Sequence, residues 1–355
     1  MKLLFEPAKL GNMTLKNHIV MAPMTRSRAP SGVPNDLMAK YYSQRAGAGL
    51  IVTEGTSPSP NGLGYARIPG LFNGDHIAGW RKTTDAVHAK GGHIFIQLMH
   101  TGRVSHPLNL PAGTEILAPS AIQLSGQMYT DQQGMQDYPT PKEMSGADIT
   151  KTKLEYVKSA EMSVQAGFDG VELHGANGYL IEQFLNPNVN KRTDSYGGSD
   201  ENRMRFVLEI AEEIVSRIGG ARLGIRISPY GVFNDTGAFP GIDQFYGKLS
   251  HKLSELGLVY IHVVDHSSMG APIVSPEVKR LIRQNFKGQY ILSGGYDAEK
   301  AEADLEKKIG DLVAFGRPFI ANPDLVEKLK AHKSIRLPDE DKLYTPGPEG
   351  YTDWD

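Results

Sequence analysis

The sequence predicts an α/β protein built as a (β/α)8 TIM barrel. Eight short apolar runs alternate with segments of helical periodicity along the 355 residues. The runs are continuously apolar, as parallel strands buried on both faces are. Nearly every helical segment stops at a glycine, the usual C-terminal signal. Eight alternations are the count of a (β/α)8 barrel. A doubly wound sheet usually has fewer repeats, and no G-x-G-x-x-G follows the first strand.

The elements follow in order along the chain. Residues 1–16 precede the first strand and are expected to form a small hairpin plugging the barrel bottom. Strand one is 18–22, ending at Pro23, and a helix over 35–46 precedes Gly47. Strand two is 49–53, ending at Glu54-Gly55. The helix over 75–90 carries Ile77, Trp80, Thr84 and Val87 at helical spacing and stops at Gly91-Gly92. Strand three is 93–98. Residues 101–146 then break the rhythm. They are rich in Pro, Gly, Gln and Ser, and so long an excursion reads as a lid or small subdomain. The alternation resumes with a helix over 148–166, strand four at 169–173, a helix over 200–217 and strand five at 222–227. It continues with a helix over 242–256, strand six at 258–264, a helix over 276–286 and strand seven at 289–292. A helix over 297–308, strand eight at 311–315 and a last helix over 323–332 complete the pattern. The tail 337–355 reads as irregular chain laid over the surface, and 1–355 as one barrel domain.

Composition narrows the function. A formal net charge of −2 gives no electrostatic case for nucleic acid or an anionic membrane. The chain has no cysteine, which excludes disulfides, thiolate zinc sites and cysteine-ligated iron–sulfur clusters. The first residues become charged too soon for a signal peptide, and no apolar run approaches membrane-spanning length. A cytoplasmic location is therefore expected.

In a barrel the eight strand ends share one rim, where active sites sit. Strand four delivers His174-Gly175-Ala176-Asn177-Gly178-Tyr179-Leu180 to it. One such histidine would read as a strand cap and one such tyrosine as core. Three hydrogen-bonding side chains within six residues, spaced by glycines that permit an irregular backbone, point to a site. The other ends bring Pro23, Met24, Thr25 and Arg26; Glu54 and Gly55; Gln97 and His100; Arg226; His262, Asp265 and His266; Ser293, Gly294 and Gly295; and Gly316 and Arg317. Glycine-rich loops after strands seven and eight, with Arg317 beside them, form a phosphate-site signature. Arg226 ends a buried strand and needs an acceptor, either a carboxylate such as Glu54 or a ligand that becomes anionic. Gln97 can donate and accept at once, which suits a pyrimidine-like ring edge. No H-E-x-x-H is present, and no metal site is expected, although His262, Asp265 and His266 share the rim.

Ordered along the chain, these residues resemble the old yellow enzyme family of FMN-dependent ene-reductases. The likeness includes Leu4-Phe5-Glu6-Pro7, Ala22-Pro23-Met24-Thr25-Arg26, Gly64-Tyr65-Ala66, Gln97-Leu98 with His100, the His174–Leu180 motif, and Phe315-Gly316-Arg317 with Ala321-Asn322-Pro323-Asp324. It implies FMN across the barrel mouth, with its phosphate on Gly294, Gly295, Gly316 and Arg317. Thr25, Gln97 and Arg226 are implied at the ring edge, and Pro23, Met24 and Gly55 against the ring. NADPH or NADH is the implied reductant, a small enone or nitro compound the substrate, and a monomer or homodimer the assembly. His174 and Asn177 are implied to hold the substrate carbonyl oxygen while hydride reaches the β-carbon from flavin N5. Tyr179 is implied to protonate the α-carbon, with Tyr65 and Tyr344 lining the pocket.

Two departures from the family pattern stand out. Met99 occupies a position where many relatives have Trp, and Asn177 one where some have His. Two other readings remain at this stage. A barrel lyase or isomerase acting on a phosphorylated substrate would need a Schiff-base lysine or a metal at a strand end. A non-catalytic flavin or steroid binder would keep the phosphate loops without needing Tyr179.

Overall fold

The computed structural model of the protein describes residues 2–354. Met1 and Asp355, the two ends of the expected 1–355 domain, lie outside the described residues. Eight parallel strands close on themselves. They are β1 (Ile19–Met21), β2 (Leu50–Thr56), β3 (Ile94–Leu98), β4 (Gly170–Gly175), β5 (Leu223–Ile227), β6 (Tyr260–Val263), β7 (Gln289–Leu292) and β8 (Leu312–Phe315). β8 pairs with β1, so the barrel itself has no open edge. The helices outside them are α1 (Asp36–Gln44), α2 (Gly74–His88), α3 (Gly146–Gln165), α4 (Leu180–Leu185), α5 (Asp200–Ile218), α6 (Ile242–Glu255), α7 (Pro276–Asn285), α8 (Ala298–Glu306), α9 (Arg317–Ala321) and α10 (Leu325–Lys330). Local chemistry starts the long helices. Asn35 caps α1 by accepting from the Met38 N–H, and Ser145 with Asp148 forms a capping box on α3. Among the described residues no helix is long and apolar enough to cross a membrane.

The barrel interior is filled in its lower part and polar in its upper part. Val20, Val52, Phe95, Tyr260, Ile291 and Leu312 form the inner core, and the N-terminal hairpin (Ala8–Leu10 with Met13–Leu15) closes the bottom with Leu10 and Leu15. Each fully buried aliphatic side chain of this kind contributes roughly 1.5–3 kcal/mol. Gly170 and Gly224 leave room for the rings of Phe95 and Tyr260, with which an added Cβ would overlap. The aromatic rings thus pack across the barrel at the level just below the polar end.

Two expectations need correction, and the excursion gains detail. β2 runs on to Thr56 rather than stopping at residue 53, because a register shift between Val52 and Gly55 bends it while it stays paired with β3. The short helix α9 falls where the chain after strand eight was expected to be a loop, and α4 forms in the mixed segment after the His174–Leu180 motif, which could turn helical. α4 is buried throughout and α9 along Phe319, Ile320 and Ala321, and their six and five residues are too few to show a period. The excursion 101–146 holds ordered strands, an antiparallel hairpin (Gln127–Thr130 with Gly134–Asp137) and a parallel pair (Leu117–Ala118 with Lys142–Glu143).

Candidate active site

Two adjoining cavities open at the C-terminal rim, of about 830 and 560 Å³. Pro23, Thr25, Asn177, Arg226 and Tyr344 line both, so the two share a wall. Gly55, Tyr65, Gln97, Met99, His174 and Tyr179 line the larger. Met24, Gly294, Gly295, Gly316 and Arg317 line the smaller.

The polar wall comes from β4 and the turn after it. His174 is buried at the strand end, and its Nδ1 accepts the Ala176 N–H at 3.3 Å. The ring proton therefore sits on Nε2. Burial, then the Arg226 charge, holds the imidazole pKa well below its ordinary value, so the ring is a neutral donor. Asn177 has φ +58°, a left-handed turn that asparagine tolerates better than most residues. Its N–H donates to Ser228 Oγ at 2.8 Å, and its carbonyl accepts from Asn234 Nδ2 at 2.7 Å. Its Oδ1 lies 3.2 Å from His266 Nε2. Burial lowers the His266 pKa to about 4, so this ring too is neutral, and it donates its Nε2 proton to the amide oxygen. The Asn177 NH2 is left as a second neutral donor.

Below the turn sits Glu182. Its Oε2 accepts the Gly178 N–H at 2.7 Å and the Ser228 hydroxyl at 2.8 Å, and burial pushes the carboxyl pKa up to about 7. Tyr179 places its hydroxyl 3.0 Å from that of Tyr65 and its ring edge-on to His174. Burial raises the Tyr179 pKa to about 12.

Ring-edge groups stand across the mouth. Gln97 donates from Nε2 to Glu172 at 2.7 Å. Arg226 Nε is buried without a hydrogen-bond partner. The carboxylate that most supports its charge is Glu172 and not Glu54. Glu54 instead accepts from the Tyr42 hydroxyl and the Arg26 N–H, each at 3.2 Å. In the smaller cavity Gly294 and Gly295 have φ +113° and +61°. A Cβ on Gly294 would meet the Asp265 carbonyl at 2.7 Å, so glycine is required there. The arrangement fits a ligand with an anion at one end and a hydrogen-bonding ring at the other. An unpartnered buried guanidinium faces the ring position, and a side-chain-free cradle faces the anion.

The sequence matches the NADH:flavin oxidoreductase / NADH oxidase family over residues 3–335. The chain belongs to this family. It is 37% identical to 12-oxophytodienoate reductase 7 of Oryza sativa subsp. japonica, over 99% of this chain and 94% of the relative. It is 39% identical to a probable flavin mononucleotide-dependent alkene reductase of Leishmania infantum, over 99% and 96%. The solved structure of morphinone reductase in complex with tetrahydroNAD superposes with a TM-score of 0.94 at 40% identity, covering 99% of this chain and 97% of that one.

Around this family site the structure adds groups that the strand-end reading missed. Arg67 bonds Asp131 at the hairpin tip and donates to the carbonyls of Tyr344 at 2.8 Å and Ser27 at 3.1 Å. One side chain thus ties the excursion and the C-terminal tail over the larger cavity. Val104, Leu124, Met128 and Tyr138 of the excursion form a small core against Tyr65 and Tyr179. Met99 packs against Leu63 and Ile68, and its sulfur lies where a Cβ on Gly55 would be, at 2.5 Å. Position after a strand would have found Ser228. Glu182, Arg67 and the excursion core carry no such signal. His100 turns away from both cavities, its Nδ1 accepting the Gly102 N–H at 3.0 Å. The three rim groups weighed as metal ligands diverge. His262 points to Glu172, Asp265 to Lys279 and His266 to Asn177. Among the described residues no cluster of three such groups could hold a metal ion.

Proposed function

We propose that this flavin-dependent oxidoreductase reduces the activated C=C bond of small α,β-unsaturated carbonyl compounds, with FMN bound and NADH or NADPH as reductant. The reading rests on one observation above all. Two neutral N–H donors, His174 Nε2 and Asn177 Nδ2, stand on the same wall as a buried phenol, Tyr179. Relatives named as alkene and morphinone reductases support it.

Gly294, Gly295, Gly316 and Arg317 would hold the FMN phosphate. Thr25, Gln97 and Arg226 would meet the polar ring edge, and Pro23, Met24 and Gly55 would pack on the ring. Bound FMN supplies the hydride chemistry, accepting two electrons from the nicotinamide and returning them to the substrate β-carbon. His174 and Asn177 hold the substrate carbonyl oxygen and stabilise the charge it gains. Preorganised donors of this kind contribute about 2.7–4 kcal/mol each. Because both are neutral and weakly acidic, they hold the oxygen by hydrogen bonds without transferring a proton to it. Tyr179 delivers its proton to the α-carbon; with its pKa raised to about 12 by burial, the phenol holds that proton until a carbanion-like carbon takes it. Tyr65 holds the Tyr179 hydroxyl in place. The roof tied by Arg67, with Tyr344 in it, limits water around the reacting carbon. A nitro group offers oxygens to the same donors, which makes nitro compounds a second substrate class. Every group named comes from one chain, so a monomer or a homodimer serves equally.

The test is anaerobic. NADH or NADPH bleaches the yellow holoprotein, and 2-cyclohexenone restores the colour. A flavin that bleaches but is not reoxidised by the enone would leave a binder rather than a reductase.

A further inference from the structure

Beneath the ring-edge groups lies a buried charged network that the reduction chemistry does not use. Glu172 and His262 have no solvent exposure. Glu172 is in register with Gln97 across β3 and β4, so both side chains enter the barrel at one level. Glu172 Oε1 accepts from Gln97 Nε2 at 2.7 Å, and its Oε2 is 3.0 Å from His262 Nδ1. His262 Nε2 has no partner. A buried orphan N–H is rarer than a buried orphan acceptor, so the ring proton belongs on Nδ1, donated to Glu172. Burial works against the Glu172 charge. The His262 and Arg226 interactions outweigh it and leave the carboxyl below its ordinary pKa.

A carboxylate only accepts. Gln97 must therefore turn its NH2 toward Glu172 and its carbonyl away. What Gln97 then offers the cavity is Oε1 beside its second N–H, an acceptor next to a donor. That edge complements an imide, in which an N–H stands next to a carbonyl. The flipped amide would set oxygen against carboxylate oxygen and present donors alone.

We propose that Glu172 is a positioning residue that fixes the Gln97 carboxamide through this hydrogen bond, so that the site selects a cofactor ring with an N–H/C=O edge. The inference rests on FMN being the cofactor. Its test is a double-mutant cycle on FMN release from the diluted holoprotein, followed by the fluorescence of freed flavin. Wild-type protein that holds no FMN would sink the function proposed above, whatever the cycle shows. Given FMN binding, Glu172→Gln should weaken it about tenfold, the scale of one misdirected hydrogen bond. In a Gln97→Met background the same change should leave affinity within about twofold, because Glu172 then has no amide to orient. An equal loss in both backgrounds would mark a merely structural role and overturn the proposal, as would no loss in either. Should Glu172→Gln not fold, Glu172→Asp keeps the charge beside His262 and Arg226 but falls short of Gln97. The same three outcomes then apply to it.

Discussion

Tyr179→Phe removes one hydroxyl and little else, which makes it the sharpest test of the proton donor. The ring stays edge-on to His174, at a centroid distance of 4.9 Å. The Tyr65 hydroxyl loses a partner 3.0 Å away. That costs roughly 0.5–1.5 kcal/mol at most, since Tyr65 faces the cavity and can turn to water. The chemical loss is larger. A positioned general acid contributes about 10²–10⁴ in rate, or roughly 2.7–5.5 kcal/mol at 1.36 kcal/mol per decade. Flavin reduction by the nicotinamide needs no proton from this phenol. Anaerobic stopped-flow should therefore show reduction changed by less than about threefold and enone reoxidation slowed by about 10²–10⁴. With a pKa of about 12, Tyr179 stays protonated at neutral pH. Wild-type reoxidation should accordingly show no break near neutrality from this group. Equal losses in the two half-reactions, or an unimpaired enone step, would refute the assignment.

Other outcomes follow from neighbouring groups. His174→Ala should weaken binding of a phenolic ligand by about 10–100-fold, read from its charge-transfer band, because one hydrogen bond to an anionic oxygen is lost; an unchanged band titration would remove His174 from the oxygen site. With His174 held well below its ordinary pKa and His266 at about 4, phenol affinity above neutrality should track the phenol's own ionisation, and an added step near pH 6.5 would show a titrating histidine. Gly224→Ala sets a methyl against the Tyr260 ring inside a filled barrel and should cost about 1–3 kcal/mol in denaturant unfolding; wild-type stability would mean the inner core yields. Glu182 has its folded pKa raised to about 7, so the fold binds its proton more tightly than the unfolded chain and loses stability as pH rises from about 4.5 to 7. Glu182→Gln should lack this loss, retaining up to about 3 kcal/mol more of its own low-pH stability by pH 8 than wild type does. Parallel stability profiles for the two proteins would contradict it.

The barrel was legible because a parallel strand buried on both faces writes itself as a continuous apolar run, and β7 was read to the residue. That His174, Asn177 and Tyr179 line one cavity was legible because polar groups at a strand end have little to do in a core. The strands inside the excursion were not, because its hairpin is half exposed and shares only a small cluster with Tyr65 and Tyr179. Such a segment has too few apolar positions to show a period. Arg67 was not legible either, since its partners Asp131 and Tyr344 come from the excursion and the tail.

Asn177 shows how the missing part bears on chemistry. Its side chain can donate to a substrate oxygen only if its own oxygen is engaged elsewhere, and His266, 89 positions away, engages it. Its backbone stays left-handed because Ser228 takes its N–H, Asn234 takes its carbonyl, and Glu182 anchors both Ser228 and Gly178. Asparagine suits that place on two counts. It tolerates the positive φ, and it gains no charge at any working pH. A histidine there could donate too, and the burial and Arg226 charge that keep His174 neutral would act on it as well. The motif supplies the donor, and residues from the next two strand ends decide which way it points.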